Sequence, residues 1–207
     1  MASHDGQHKV TSSSNAHWKG DGTYEGDLEF SGLFRVPVRA LNIVWGNDPR
    51  FWQFMYLKDD ESRLIGFNQC ALLVQVNWIE VTGKIPLSLL YRASSPTRYE
   101  IYYVVKFRVD AFGWHSAPIK FKVRLNNNNN NNNNGKEEEE EEEESEYEKS
   151  IIFEAYRKKQ EEWHEIPGGE FSVSKKEGFV EFGMFEVESA WWKGNMVLAG
   201  VKIKAIV

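Results

Sequence analysis

The sequence has a single cysteine and no long hydrophobic run. Because Cys70 is the only cysteine among 207 residues, an intrachain disulfide is excluded. No stretch approaches the roughly 20 apolar residues that a membrane-spanning helix needs. Met1 to Asn15 is polar and lacks the apolar segment of a signal peptide, and Asn-x-Ser/Thr glycosylation sites are missing. These absences favour a cytoplasmic location and predict no membrane contact.

Positive charge and metal-ligand patterns are also scarce. The formal net charge is −6, but ten Glu and two Lys between residues 126 and 149 contribute −8, which leaves +2 for the remainder. A near-neutral remainder without a dense basic stripe makes nucleic acid an unlikely partner. The five histidines show no spacing such as His-Glu-x-x-His, and no Gly-rich phosphate loop occurs. We therefore expect neither a metal ion nor a cofactor.

Aromatic residues are abundant, with eight Trp, eight Tyr and thirteen Phe. Apolar residues alternate with polar ones over several short stretches, which Gly, Pro and Ser separate. Such period-two patterns are typical of half-buried antiparallel strands. Many short strands with frequent turns predict an all-β protein, an antiparallel sandwich or a barrel. The alternating faces are Ile101, Tyr103, Val105, Phe107 and Val109; Ile119, Phe121, Val123 and Leu125; Val74, Val76 and Trp78; and Val197, Ala199, Val201 and Ile203.

The region 151–163 contains the one candidate for a helix. We interpret it instead as a strand, a charged turn and a second strand, because alternating strands surround it. The following Gly168-Gly169 pair is predicted to form a hairpin turn.

Two segments have too few apolar side chains to fold alone. Residues 1–23 are predicted to form a flexible N-terminal tail, ahead of a single domain at 24–207. Runs of Asn and Glu mark a low-complexity insertion at 126–149, which we expect to be disordered. Because long loops cost little closure entropy, the strands ending at Leu125 and starting near Ser150 are expected to be neighbours in one sheet system.

The run from Trp45 to Trp52 is the most informative segment. It places two indoles on either side of a turn built from Gly46, Asn47, Asp48 and Pro49, followed by Arg50. An indole face suits the C–H face of a sugar, and the amide, carboxylate and guanidinium groups suit its hydroxyls. The alternative is that both tryptophans anchor the core.

Five ordered blocks of the sequence resemble the phloem-protein-two, or Nictaba-like, plant lectin family. Together they extend over roughly residues 24–204, apart from the insertion. The blocks are Arg39–Trp45 with Asn47–Trp52, Val76–Ile85, Tyr99–Phe107, Trp163–Ile166 with Gly169–Phe171, and Trp192–Gly194 through Ile203.

This resemblance implies a jelly-roll-like β-sandwich that binds GlcNAc oligomers (chitooligosaccharides) or N-glycan cores without catalysis. It places Trp45, Trp52 and the carboxylate of Glu186 at the carbohydrate site. A second acidic position of the family falls on Phe179, which moves polar contacts to the turn residues Asn47, Asp48 or Arg50. We expect Trp52 to be the exposed, ligand-binding tryptophan and Trp45 to belong partly to the core.

The resemblance also implies a homodimer that binds glycoproteins, and a location in the cytoplasm or phloem sap. The C-terminal strand, Met196 to Ile203, is a possible edge for pairing. The loop that sometimes carries a basic nuclear-targeting cluster in the family is rich in Asn and Glu here, which argues against nuclear import.

Two other functions remain open. The aromatic strands could stack bases in a protein- or RNA-interaction module of vascular transport. A glycan-active enzyme would need two carboxylates around the scissile bond, and Glu165, Glu170, Glu181 and Glu186 are candidates. Carboxylates of this kind are common on strand surfaces, so we expect a binding protein rather than an enzyme.

Overall fold

Two antiparallel sheets pack face to face in the computed structural model, which describes residues 15–27, 32–92, 97–126 and 146–206. This confirms the predicted antiparallel β-sandwich. The strands are β1 Glu25–Asp27, β2 Leu33–Pro37, β3 Asn42–Ile43, β4 Trp52–Tyr56, β5 Gln69–Val76, β6 Ile79–Pro86, β7 Thr97–Phe112, β8 Ile119–Asn126, β9 Glu146–Ile151, β10 Trp163–Val173, β11 Phe179–Glu186 and β12 Lys193–Ile206. Two short α-helices, α1 Asp59–Ile65 and α2 Glu154–Arg157, and 3-10 turns at Val38–Ala40 and Leu87–Leu89 lie between them.

The C-terminal strand β12 lies at the centre of the larger, seven-stranded sheet. One side of β12 pairs with β5 through its first half and with β2 through its second half, and the other side pairs with β7. The prediction that Met196 to Ile203 forms an edge is therefore wrong. Its residues are buried on both faces, with Leu198 and Ala199 both inaccessible to solvent, so strict alternation does not apply to this strand.

The smaller sheet has the strand order β3-β6-β11-β8-β9. The strands on either side of the low-complexity segment, β8 and β9, pair directly, with Ile119 opposite Ile151 and Arg124 opposite Glu146. The expectation that these strands are neighbours is confirmed.

The core fills the space between the sheets. The inward faces of β7 and β8 supply Ile101, Tyr103, Val105 and Phe107, and Ile119 to Leu125, as their alternation predicts. Two members of the predicted faces differ, because Val109 and Trp78 are exposed.

Helix α1, which the sequence pattern did not predict, covers part of the outer face of the larger sheet. Its first turn contains Asp59, Asp60 and Glu61, which favour a helix N-terminus, and Gly66 ends it with a φ of 76°. A second apolar cluster lies beneath it, formed by Ile65, Phe67, Cys70, Val104, Val197 and Ala199.

The region 151–163 contains a short helix, α2, between β9 and β10, so the interpretation as strand, turn and strand is correct only at its two ends. The Gly168-Gly169 pair lies inside β10, and a register shift between Pro167 and Gly169 marks a bulge there. The predicted hairpin turn is wrong. A side chain at Gly168 would come within 2.4 Å of the Tyr103 ring, so a residue without Cβ lets the two strands pass.

The predicted boundaries of the tail and of the insertion also change. Within the predicted tail, Trp18 pairs with Ile43 and packs against the core, which contradicts flexibility for the described part of that tail, residues 15–23. Strand β9 begins at Glu146, inside the predicted insertion, and Tyr147 packs against the core. The prediction of disorder for 127–145 lies outside the described residues.

Five connections between the two sheets meet at one end of the sandwich. They are 44–51, 77–78, 113–118, 152–162 and 187–192, each leading from one sheet to the other. The register supports this arrangement, since Ile79 pairs with Glu186, and Val76 pairs with Lys193. We call this end, which includes the Trp45 turn, the crossover end.

Candidate functional site

Trp45 presents its indole at the crossover end. It has a φ of 64°, and its residue surface is 39% exposed. The Trp45 amide donates to His17 Nδ1 at 3.0 Å, and the two ring centroids are 5.0 Å apart. The centroid of the Phe51 ring lies 5.7 Å from that of the indole. A left-handed residue of this size is uncommon, and the surrounding contacts hold it in place.

Trp52 is a core residue. It is only 2% exposed and starts β4 opposite Leu73. The prediction that Trp52 is the exposed tryptophan and Trp45 the partly buried one is therefore wrong. A strand start with its side chain facing the opposite sheet buries the indole, whereas the left-handed turn directs the Trp45 indole outward.

The polar residues of the turn mainly hold the turn together. The Asn47 amide donates to the carbonyls of Asn15 and His17 at 2.8 and 3.0 Å. The Arg50 backbone amide and guanidinium donate to the Asp48 carboxylate, and these bonds, led by the side-chain one, lower the pKa of Asp48. Asn47 and Asp48 thus shape the loop, while the Arg50 side chain, 78% exposed, keeps donors towards solvent.

A groove of about 470 Å³, lined by both polar and apolar side chains, adjoins the turn. Its wall includes His17, which contacts the Trp45 ring, and Val44, which precedes Trp45. The amide of Asn42 is within 3.5 Å of the Thr82 hydroxyl, and the Glu80 carboxylate accepts from Trp78 Nε1 at 3.2 Å. The groove lining is His17, Trp18, Lys19, Asn42, Ile43, Val44, Glu80 and Thr82. Its size lies within the range of small-ligand sites.

Glu186 lies inside the sandwich and not on a solvated strand face. It forms a buried ion pair with Lys193, and its other oxygen accepts from the Ser189 amide at 2.9 Å. Burial alone would raise the pKa of Glu186, but the hydrogen bonds from Lys193 and Ser189 outweigh it and hold that pKa below the ordinary value. Because both carboxylate oxygens are occupied, Glu186 is placed to organise the loop 187–192.

A family model for phloem protein 2 matches residues 33–205, which is most of the chain. The chain belongs to the phloem protein 2 family. The putative F-box protein PP2-B12 of Arabidopsis thaliana is 29% identical over 82% of this chain and 59% of its own length. Protein PHLOEM PROTEIN 2-LIKE A5 of the same plant is 30% identical over 83% of this chain and 37% of its own. The chain thus spans about half the length of these curated relatives.

Among solved structures, a Podospora anserina GH26-CBM35 β-(1,4)-mannanase aligns with 86% of this chain and 28% of its own, at 8% identity and a TM-score of 0.41. A similarity of this size carries no argument about function. The phloem protein 2 assignment therefore rests on the sequence matches, and the site rests on its geometry.

Three exposed tryptophans of this phloem protein 2 domain were not predicted as site residues. Trp78, Trp191 and Trp192 are 43%, 63% and 48% exposed, and all three lie in connections at the crossover end. Alternation predicts Trp78 on a strand face, and Trp192 lies in a block that resembles the family, whereas Trp191 precedes that block. The signal that could have identified Trp191-Trp192 is an aromatic pair beside the small residues Ser189 and Ala190.

The carboxylates considered for catalysis are each paired with a cation. Glu165 binds Lys202 and Lys204, Glu170 binds Arg98, Glu181 binds Lys84, and Glu186 binds Lys193. Across the described ranges, no three His, Cys, Asp or Glu side chains gather as a metal site would require. Among those same residues, no helix has the length and apolar character to cross a bilayer.

Proposed function

We propose that this phloem protein 2 domain is a lectin that binds GlcNAc oligomers or N-glycan cores without catalysing a reaction. One observation carries the proposal, namely the outward-facing Trp45 indole beside a groove that polar and apolar side chains line together. The indole provides an apolar plate for the C–H face of a pyranose. Asn42, Thr82 and Glu80 on the groove wall provide amide, hydroxyl and carboxylate groups for the hydroxyls and the N-acetyl group.

The charges around the groove favour a neutral ligand. Asp48 and Arg50 pair with each other, and Lys19 and Glu80 contribute opposite charges to the groove wall. An uncharged sugar should bind with little dependence on salt, whereas RNA binding should weaken steeply as counterions compete. Affinity measured at low and high salt therefore separates a lectin from the RNA-interaction alternative.

Paired variants of the two tryptophans test the site. Trp45→Ala should abolish chitotriose binding in isothermal titration calorimetry and leave the melting temperature nearly unchanged. Trp52→Ala should lower the free energy of unfolding by about 3–5 kcal/mol, because it empties a buried position. Tyr56→Ala is a matched surface control, since Tyr56 is an exposed aromatic on β4 outside the turn.

Cellotriose, which lacks N-acetyl groups, serves as the ligand control. Full chitotriose affinity in a folded Trp45→Ala protein would place the sugar elsewhere. Wild-type protein that bound neither chitooligosaccharides nor an N-glycan core would contradict the lectin proposal as a whole. Release of shorter oligomers during the titration would contradict the absence of catalysis.

The cytoplasmic location is part of the proposal. It is supported by the single cysteine, whose buried thiol has its pKa raised to about 11 by desolvation and is therefore unreactive at neutral pH. A fluorescent fusion observed in plant cells, with and without residues 127–145, would test it.

A further inference from the structure

Three exposed indoles lie in connections of the crossover end other than the Trp45 turn. We define the tryptophan rim as Trp78, Trp191 and Trp192. Trp78 occupies the two-residue connection between β5 and β6, and the other two precede β12. Register brings these connections together, because Ile79 lies opposite Glu186 and Val76 lies opposite Lys193.

The ring faces of the rim are not used for packing against other rings. Among the described residues, no aromatic ring contact involves any of the three. Trp114, in the neighbouring connection 113–118, differs: it is 1% exposed and stacks on Phe153 at 5.7 Å. Of these four tryptophans, Trp114 therefore serves the core, and the three members of the rim are exposed without a ring stacked on them.

The rim is continuous with the groove beside Trp45. Glu80 lines that groove, and its Oε2 accepts a hydrogen bond from Trp78 Nε1 at 3.2 Å. Val44, which precedes Trp45, donates its amide to the Glu80 carbonyl at 3.1 Å. One residue thus joins the Trp45 turn to the first member of the rim.

The buried ion pair and a close backbone contact at Gly113 hold the segment that carries the other two members. Glu186 holds the Ser189 amide and Lys193, and Lys193 Nζ donates to the Trp191 carbonyl at 2.8 Å. The Trp192 carbonyl lies against Gly113, where a Cβ would approach it to 2.1 Å. These contacts hold both ends of the loop before any ligand arrives, which reduces the entropy lost on binding.

The charges next to the rim are neutralised within the protein. Glu186 pairs with Lys193, and Glu188 pairs with Lys120. A group of exposed indoles with little net charge suits a neutral chain that repeats an apolar face, as a β-linked GlcNAc oligomer does. It is a poor match for an acidic or basic partner.

From this continuity we propose that the tryptophan rim is a second subsite, which binds the sugars of a GlcNAc oligomer that extend beyond the groove at Trp45. This inference rests on the proposed lectin function and names a longer ligand for the same site. Chitotriose then fills the groove, and only a longer chain reaches Trp191 and Trp192.

Calorimetric titrations with chitotriose and chitohexaose test the subsite on the full chain. Wild-type protein should bind the hexamer more tightly than the trimer. The Trp191→Ala/Trp192→Ala variant should bind chitotriose as wild type does and bind the hexamer at least about fivefold more weakly, because tryptophans are enriched among the residues whose truncation costs most binding energy. Tyr56→Ala should match wild type with both ligands.

Trp78→Ala provides a second, independent variant, since it lies in a different connection. It should also weaken hexamer binding, and it decides the question if the double variant does not fold. Undiminished hexamer affinity in folded rim variants would overturn the subsite while Trp45→Ala still tests the lectin function. If the rim variants instead lowered the mass in light scattering and kept hexamer affinity, a second copy of the chain would cover the rim and the proposal would be wrong. Wild-type protein that bound neither oligomer would contradict both proposals.

Discussion

Glu186 and Lys193 form an ion pair that is almost fully buried, with side chains 3% and 0% exposed. Glu186→Gln should destabilise the protein by about 3–5 kcal/mol at pH 7, because it leaves the Lys193 ammonium buried without a counter-charge. Urea unfolding measures this loss. Glu186→Gln/Lys193→Met is the matched control, and it should recover most of the stability because no uncompensated charge remains. Equal losses in the single and double variants would contradict this account.

The same residue gives a pH prediction with a definite sign. The pKa of Glu186 lies below its ordinary value of 4.5, so its stabilising effect is complete above about pH 4.5 and disappears as the pH falls through the lower folded value. The difference in melting temperature between wild type and Glu186→Gln should therefore shrink from pH 7 to pH 3. A constant difference across that range would show that the carboxylate charge does not contribute.

Single residues also show the limit of sequence-based prediction. The turn between Trp45 and Trp52 could be read from Gly, Asn, Asp and Pro, because each restricts or frees the backbone locally. The sequence does not reveal which of the two indoles faces solvent. That outcome depends on the left-handed φ of Trp45 and on packing with His17, a residue 28 positions earlier. Likewise, nothing in the sequence around Glu186 indicates that its carboxylate forms a buried ion pair with Lys193.

Among the elements, strands with one buried face were predictable and the others were not. Strands β7 and β8 show period-two alternation because their outer faces meet solvent over much of their length. Strand β12 is covered on both faces, partly by α1, and its continuous apolar run could not reveal its central position. The bulge in β10 was mistaken for a turn because Gly-Gly suits both, and only contact with Tyr103 distinguishes them.

The β8–β9 hairpin gives a prediction about loop boundaries. Replacing residues 127–145 with a short Gly/Asn turn should leave the fold and the chitotriose affinity unchanged. The melting temperature should stay the same or rise slightly, because less loop entropy is lost on folding. Replacing 126–149 should destabilise the protein, since it also removes Tyr147 and the cross-strand pairs Lys122–Glu148 and Arg124–Glu146. Thermal melts of both variants make the comparison. Equal melting temperatures would show that the start of β9 contributes nothing.

For the whole molecule, the homodimer expected from the family resemblance stays a proposal with a changed interface. Strand β12 cannot pair with a second copy, because β2, β5 and β7 occupy both of its sides. The exposed edges are those of other strands, including β4 and β9, and unpaired edges of this kind favour association. Light scattering at micromolar concentration should give twice the chain mass of 24.0 kDa. A measured mass near that of one chain would contradict the proposed dimer.

Strand β8 ends at Asn126 and strand β9 begins at Glu146, both at the end opposite the crossover end, where Ile119 and Ile151 lie. The eight residues of β8 separate the two ends by roughly 26 Å at about 3.3 Å per residue. The molecule therefore has a polarity that an engineer can use. A cysteine or biotin acceptor peptide placed in residues 127–145 would attach the protein to a sensor surface with its indoles directed away from the support, so that immobilised protein keeps its ligand-facing end open to solution.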